Sequence, residues 1–418
     1  MVTSLHDELA THKVGNVERR PTLSRTAGFW LVVFLILTGL LGSYALTPLY
    51  PIYQDRWGFS DLTLSLAFAC YALGTVFALI AVGSLSDRIG RRNAFVPALV
   101  GVIVSVIVLA TANGVPMLLI GRSLQGMATG IVTGTAGAAL IDLAPGGQVK
   151  GVKRAALANT ASIAAGSALG PLVSGFLVAH TSWPTLAPYL LVMVLLVIGL
   201  AGVFFLPAVP HSHAVKPRRE TLIPRAPENR GTFVLACLGT VVASASMALY
   251  AAFGTPIAHQ AHLEGKSTGG LLVFATFAAI GIAQLLFSRL HSLTAMRAGV
   301  VCALAGWGVV VTALLMQHGA LLVIGSIVTG TGCGLAMMGG AAAVNHIAHS
   351  DRRAETISLY LTIMFISLAI PGIGAGALSD TIGLTNTTIV MLVVAAVIAA
   401  LVLALSRSAR ITGPLTSR

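Results

Sequence analysis

Charge is what this chain has least of. Charged residues make up 9% of its 418, and only 13 residues are Asp or Glu, where an ordinary soluble domain would carry charge on roughly a quarter of its residues. That shortage excludes a water-soluble globular fold of this length. Cysteine is scarce too. Cys70, Cys237, Cys302 and Cys333 lie far apart in apolar stretches, with no CxxC or Cys/His spacing, so neither a disulfide framework nor a metal site is expected. Strand-like alternation is missing, which excludes a transmembrane barrel. Catalytic patterns are missing as well. "EGKST" (264–268) resembles the tail of a phosphate-binding loop, but Gln260 stands where that loop requires glycine. No enzyme activity and no cofactor are expected.

What is present is apolar. Hydrophobic residues reach 56% and mean hydropathy is +0.90. They come in blocks of about 20, the length that crosses a hydrocarbon core of about 30 Å as a helix. In lipid such segments must satisfy their own backbone groups, so they are read as helices. Twelve blocks are expected, at 27–48, 62–83, 93–112, 116–141, 155–180, 186–207, 231–255, 268–288, 295–316, 319–345, 354–379 and 385–406. The reading is an all-α polytopic membrane protein. A polar tail (1–26) precedes a six-helix half (27–208), a central loop (209–230), a second six-helix half (231–407) and a tail (408–418).

The net charge of +12 would suggest nucleic acid in a soluble protein; its distribution argues against that partner. With twelve helices, 22 of the 25 Lys and Arg fall on one side, Arg56 and Lys266 opposite, and Arg122 within a helix. Such asymmetry is the positive-inside pattern, so both termini are expected in the cytoplasm and the chain in a plasma membrane, of the bacterial inner-membrane kind. The halves echo one another. "GFSDLTLSLAFACYALG" (58–74) aligns with "GKSTGGLLVFATFAAIG" (265–281), and Ser167 and Pro171 match Ser367 and Pro371. Two such halves around a midplane site are a common transporter plan.

The loop "GSLSDRIGRR" (83–92) concentrates Asp87, Arg88, Arg91 and Arg92 between two apolar runs. Gly83 allows close helix approach, Gly90 a tight turn, and Asp87 can cap a helix start. The pattern G-x-L-S-D-R-x-G-R-R resembles the loop signature of the major facilitator superfamily, and the twelve-helix plan over 27–406 fits the same family. The resemblance implies two pseudo-symmetric six-helix halves, and a cytoplasmic latch of Asp87 and Arg91 with Asp142 that joins the halves in the outward-open state and breaks when the cytoplasmic side opens. The matching loop of the second half, 288–299, has no Asp, so a one-sided latch is expected.

Arg122 lies roughly 9 Å inside helix 4, where an ionised side chain is costly and marks a functional site by default. Gln125, Gly126, Thr129, Gly130 and Thr133 share its face. "RSLQGMATG" resembles the family's helix-4 motif, whose Arg is associated with proton transfer, which implies a coupling role for Arg122 and Gln125. Snorkelling to the outer interface is the plain alternative. Helix 5 carries "GSALGPLVSG" (166–175). Gly166, Gly170, Pro171 and Gly175 are ordinary close-packing chemistry. They also resemble the helix-5 signature of the family's drug:proton antiporters, with Ser174 in place of a glycine.

None of the 13 acids sits mid-membrane. Proton coupling would therefore use Asp61, Asp87 or Asp142 at the rims, a histidine, or a substrate group beside Arg122. A cavity without buried acids suits neutral, anionic or mildly lipophilic solutes. Its candidate lining is Tyr44, Tyr50, Tyr71, Tyr250, Phe253, Gln284, Met338 and Tyr360. Together these readings predict a monomeric secondary transporter in the bilayer that exports a small organic molecule against protons. The alternatives are a proton-coupled importer on the same fold and a receptor or assembly subunit without transport.

Overall fold

The computed structural model describes residues 22–82, 89–207, 229–263, 265, 267–349 and 353–408. Most of the N-terminal tail, Gly83, Asp87 and Arg88 of the loop motif, most of the central loop and the C-terminal tail lie outside the described residues.

Every regular element among the described residues is helical. The first span, α1 (Arg25–Trp57), is a helix Arg25–Tyr44, a 3-10 turn Thr47–Leu49 and a short helix Tyr50–Trp57. It is followed by α2 (Asp61–Val82), α3 (Arg91–Ala110), α4 (Val115–Leu143), α5 (Gly147–His180) and α6 (Ala187–Val203). The second half holds α7 (Arg230–Gln260), α8 (Thr268–Leu286), α9 (Ser292–Met316), α10 (Gly319–Ile347), α11 (Arg353–Ile382) and α12 (Leu384–Ser408). Helix starts are set by local chemistry. Ser24 Oγ accepts the Ala27 N–H at 3.2 Å, Asn229 Oδ1 accepts that of Thr232 at 3.2 Å, and His318 Nδ1 that of Leu321 at 3.3 Å. Prolines open α4 and α6, where a missing N–H costs nothing.

The twelve expected blocks are all present, with shifted edges. Eleven of the helices are long and apolar enough to cross a membrane. The exception, α6, spans 17 residues instead of the expected 186–207, because the chain tightens into turns at Phe204–Leu206 just before Pro207. Conversely α5 begins at Gly147 rather than 155, so Lys150, Lys153 and Arg154 ride on its first turns. These are good helix formers, and Arg154 Nη1 bonds to the Pro145 carbonyl at 3.0 Å.

Helix pairing in one half recurs six helices later. The contacts α2–α4, α3–α4, α1–α5, α1–α4 and α3–α6 have counterparts in α8–α10, α9–α10, α7–α11, α7–α10 and α9–α12. The halves meet along two seams, α2 against α11 and α5 against α8. Small residues make this closeness possible, as expected where lipid supplies no hydrophobic drive between helices. A Cβ at Gly332 would run into the backbone of Ala303, and one at Gly299 into that of Ala336, so α9 and α10 touch backbone to backbone. Large apolar side chains such as Phe77, Ile107, Val197, Leu315 and Val397 are exposed, as a lipid-facing belt requires.

With twelve crossings, both described chain ends lie at one end of the bundle, the terminal end; the other is the distal end. The hydrogen bonds joining the two halves among the described residues are four, and all lie toward the distal end. Gly332→Leu should force α9 from α10 and lower the thermal unfolding midpoint of the purified protein by several degrees, an overpacking cost of about 1–3 kcal/mol. Gly134→Leu on α4, where a Cβ meets nothing within 4 Å, should leave the midpoint near wild type.

Candidate functional site

The site is built where α4 lies against α2 and α1. Gly126 on α4 packs so close that a Cβ there would collide with the Tyr71 carbonyl, and one at Gly74 would sit 2.6 Å from the Ser123 carbonyl. Thr75 Oγ1 seals this crossing by donating to the carbonyls of Tyr71 (3.0 Å) and Gly126 (3.1 Å). Backbone contact of this kind brings the long side chain of Arg122 across onto α2. Its guanidinium carbon stands 4.6 Å from the Tyr71 ring centroid and 5.9 Å from that of Phe68, a cation–π arrangement.

Arg122 is 1% exposed. Nη1 donates to the Ser43 carbonyl at 2.9 Å and to Gln125 Oε1 at 2.6 Å, and Nε reaches the Ala67 carbonyl at 3.4 Å. Gln125 Nε2 donates in turn to the Gly42 carbonyl at 3.2 Å. Gly42 and Ser43 close the last turn of the helix Arg25–Tyr44, where carbonyls run out of i+4 donors, and Pro48 prevents the helix from continuing. The break in α1 thus supplies the acceptors that the cation uses. The head group points inward to three carbonyl-type oxygens instead of snorkelling outward. Nη2 has no protein acceptor among the described residues. A permanently charged donor with a spare nitrogen, and no carboxylate beside it, can meet a carbonyl or anionic group.

The helix-5 glycines lie at two different contacts. Cβ atoms at Gly166 and Gly170 would each stand 2.5 Å from carbonyls of α1, those of Leu37 and Leu41. Gly175 instead meets Gly270 of α8 in the other half, and Pro171 lies inside the helix between these contacts. Helix α5 is therefore wedged between its own half and the opposite one.

Of the latch residues, Arg91 Nε pairs with Asp142 Oδ2 at 3.1 Å, and Arg25 Nη2 donates to the Asp142 carbonyl at 2.7 Å. All three belong to the first half. Gly90 has φ 87°, a left-handed turn that favours glycine. Gly83, Asp87 and Arg88 lie outside the described residues.

The expected cavity residues separate into groups. Tyr71 underlies Arg122, and Tyr44 packs against Phe277 of α8 across the seam, ring centroids 4.9 Å apart. Tyr50 is buried, its hydroxyl without a partner among the described residues. Tyr250 and Phe253 are fully buried. The Tyr250 hydroxyl donates to Ser326 at 2.9 Å, with its ring beside Trp307, so it belongs to the interior of the second half. Tyr360 shares a 2.6 Å hydrogen bond with Thr240, a separate contact within that half. Gln284 and Met338 are half-buried.

Sequence reasoning missed the Gly42 and Ser43 carbonyls, Phe277, and the 2.9 Å bond between Tyr53 and Tyr189. Only the carbonyls had a signal, in Pro48. Buried hydroxyls of Thr38, Thr129 and Ser174 have no partner among the described residues.

The chain belongs to the major facilitator superfamily. The sequence model of that family matches residues 32–258 and 235–416. The chain is 28% identical over 189 residues to the multidrug efflux protein YfmO of Bacillus subtilis (strain 168), covering 45% of this chain and 46% of that one. It is 26% identical over 278 residues to the uncharacterized MFS-type transporter YceJ of the same organism, covering 65% and 66%. The matches thus span from about half to just under two thirds of these relatives. Its fold resembles the crystal structure of a bacterial homolog to the human lysosomal transporter Spinster, in an inward-facing and unoccupied conformation. That likeness has TM-score 0.74 at 14% identity, over 92% of this chain and 97% of that one.

Arg122 and Gln125 should be coupled. In a double-mutant cycle with Arg122→Met and Gln125→Ala, chemical unfolding should report a coupling of about 1–2 kcal/mol. Strict additivity would mean that their short hydrogen bond contributes nothing.

Proposed function

We propose that this chain is a secondary active transporter that exports a small organic molecule in exchange for protons, by alternating access. The observation that carries the reading is that, among the described residues, the hydrogen bonds joining the halves gather toward the distal end. A two-half bundle joined in that way can open at the other end by rocking one half against the other. The terminal end, which carries nearly all the basic residues, faces the cytoplasm in this reading.

Export is favoured over import by the helix-5 glycines, wedged between α1 and α8, and by likeness to a protein named for multidrug efflux. The substrate class is neutral, anionic or mildly lipophilic, because Arg122 offers a donor and no buried carboxylate offers a counter-charge to a cation. Coupling is assigned to Arg122 with Gln125, and the proton carrier to a rim acid or to the substrate itself. The protein works as a monomer in a plasma membrane of the bacterial inner-membrane type, and needs no cofactor and no nucleic acid.

The test is proton movement in proteoliposomes challenged with a panel of neutral and anionic lipophilic compounds. At least one should drive protons in the direction opposite to its own. Movement in the same direction would replace the exporter with an importer, and no coupled movement for any compound would remove secondary transport. With a compound that works, Arg122→Gln should abolish coupled flux. Arg122→Lys should retain about a tenth or less, because lysine keeps the charge but loses the planar fork that reaches three acceptors at once.

A further inference from the structure

Among the described residues, three of the four hydrogen bonds that join the halves converge on one pair of acids, Asp61 at the start of α2 and Asp380 near the end of α11. Both oxygens of Asp380 are used. Oδ1 accepts the Asp61 backbone N–H at 2.8 Å and Oδ2 accepts that of Leu62 at 3.1 Å. A carboxylate of the second half therefore caps the N-terminus of a helix in the first, where unsatisfied N–H groups and the helix dipole favour negative charge. The Asp61 side chain returns the contact, accepting from Ser379 Oγ at 2.5 Å and from Gln54 Nε2 at 2.9 Å. Neither carboxylate pairs with a cation among the described residues. Closeness is enforced by Gly376, whose Cβ would clash with Ser65 Oγ and sit 2.7 Å from the Asp61 carbonyl.

The sequence carries an independent sign that this segment is built for the purpose. "GALSDTIG" (376–383) matches "GSLSDRIG" (83–90) at six of eight positions, Gly, Leu, Ser, Asp, Ile and Gly. The closing glycines Gly383 and Gly90 both adopt left-handed conformations, φ 80° and 87°. One copy follows α2 at the terminal end, the other completes α11 at the distal end. The segment absent from the loop 288–299 thus recurs at the opposite end of the bundle.

We propose that Asp380, through its cap on α2, is the lock of the distal gate: its ionised carboxylate holds the distal end shut, and losing that charge releases the halves toward the distal-open state. Asp380 is a positioning residue, since it acts on α2 and touches no substrate. The inference rests on the alternating-access reading, but its test measures distances without substrate, so the two can fail separately.

The test is electron–electron distance measurement between spin labels at Ser60→Cys and Thr381→Cys, both exposed positions flanking the cap, with the four native cysteines replaced. The labelled parent should show a dominant short distance. Asp380→Asn keeps one acceptor oxygen and loses the charge, and should raise the long-distance population relative to the short one by about tenfold. Asp380→Glu should lie between. Leu62→Pro removes a single donor at a first-turn position where proline is tolerated, leaves every charge in place, and should raise the long-distance population by a smaller factor. Asp61→Asn, which retains both backbone donors, should move the distribution less than Asp380→Asn. An unchanged distribution in Asp380→Asn overturns the proposal, as does an equal or larger shift in Asp61→Asn. If Asp380→Asn cannot be purified folded, an unchanged distribution in Leu62→Pro overturns it alone.

Discussion

The middle of a bilayer supplies no water, so every polar group held there must be met by protein. That constraint explains where nearly all the polar chemistry of this chain has gone. Hydroxyls inside the helices mostly turn back on the carbonyl four residues earlier, as do Ser43, Thr133, Ser246, Ser326 and Thr329. The one buried Arg or Lys among the described residues, Arg122, takes oxygens that a broken helix leaves over. Carboxylates, which accept but cannot donate when ionised, stay at helix ends where backbone N–H groups and arginines are available. Arg122 and the acids follow one rule from opposite sides: a donor finds spare carbonyls, and an acceptor finds spare amides.

Much of this was legible in the residues. Blocks of about 20 apolar residues gave the helices, and the alternation of basic loops gave their number. Arg122 stood out because no other Asp, Glu, Lys or Arg falls so deep within an apolar block. The pairing of Arg91 with Asp142 was implied by a family pattern and is present, inside one half. Less was legible at the cavity. Tyrosines were chosen as amphipathic side chains, yet nothing in a one-dimensional pattern separates Tyr44, which reaches across the seam, from Tyr250, which bonds Ser326 within its own half. Direction around a helix axis is fixed by neighbours that the sequence does not name. The helix edges shifted for a similar reason. Lys150, Lys153 and Arg154 extend α5 beyond the hydrocarbon, where hydropathy no longer marks the helix.

The arrangement of contacts also limits what the Arg91–Asp142 pair can do. Both residues move with the first half, as does Arg25, which holds the Asp142 backbone. The Arg91–Asp142 bond itself joins α3 to α4 within that half, so rocking of the halves leaves this one bond unchanged. At the distal end the situation is reversed. Asp61 and Asp380 stand on different halves, so their bonds exist only while the halves touch there.

Such a seam must also be balanced in energy. Hydrogen bonds contribute about 0.5–1.5 kcal/mol each, and about 1.5–3 when one partner is ionised. The four that cross between the halves among the described residues therefore favour closure by about 5–10 kcal/mol, before any cost of holding two acids close together. The glycine contacts of Gly376 on Ser65 and Gly175 on Gly270 add shape, bringing the helices together without large side chains at those two points. Exchanging conformations of one protein differ by only a few kcal/mol, so a second state would have to recover most of this in contacts of its own. Large side chains meet elsewhere between the halves, as Tyr44 does Phe277, and each such contact adds apolar area that parting must expose. Alternation between two states requires that what these contacts contribute be matched by contacts of the other state.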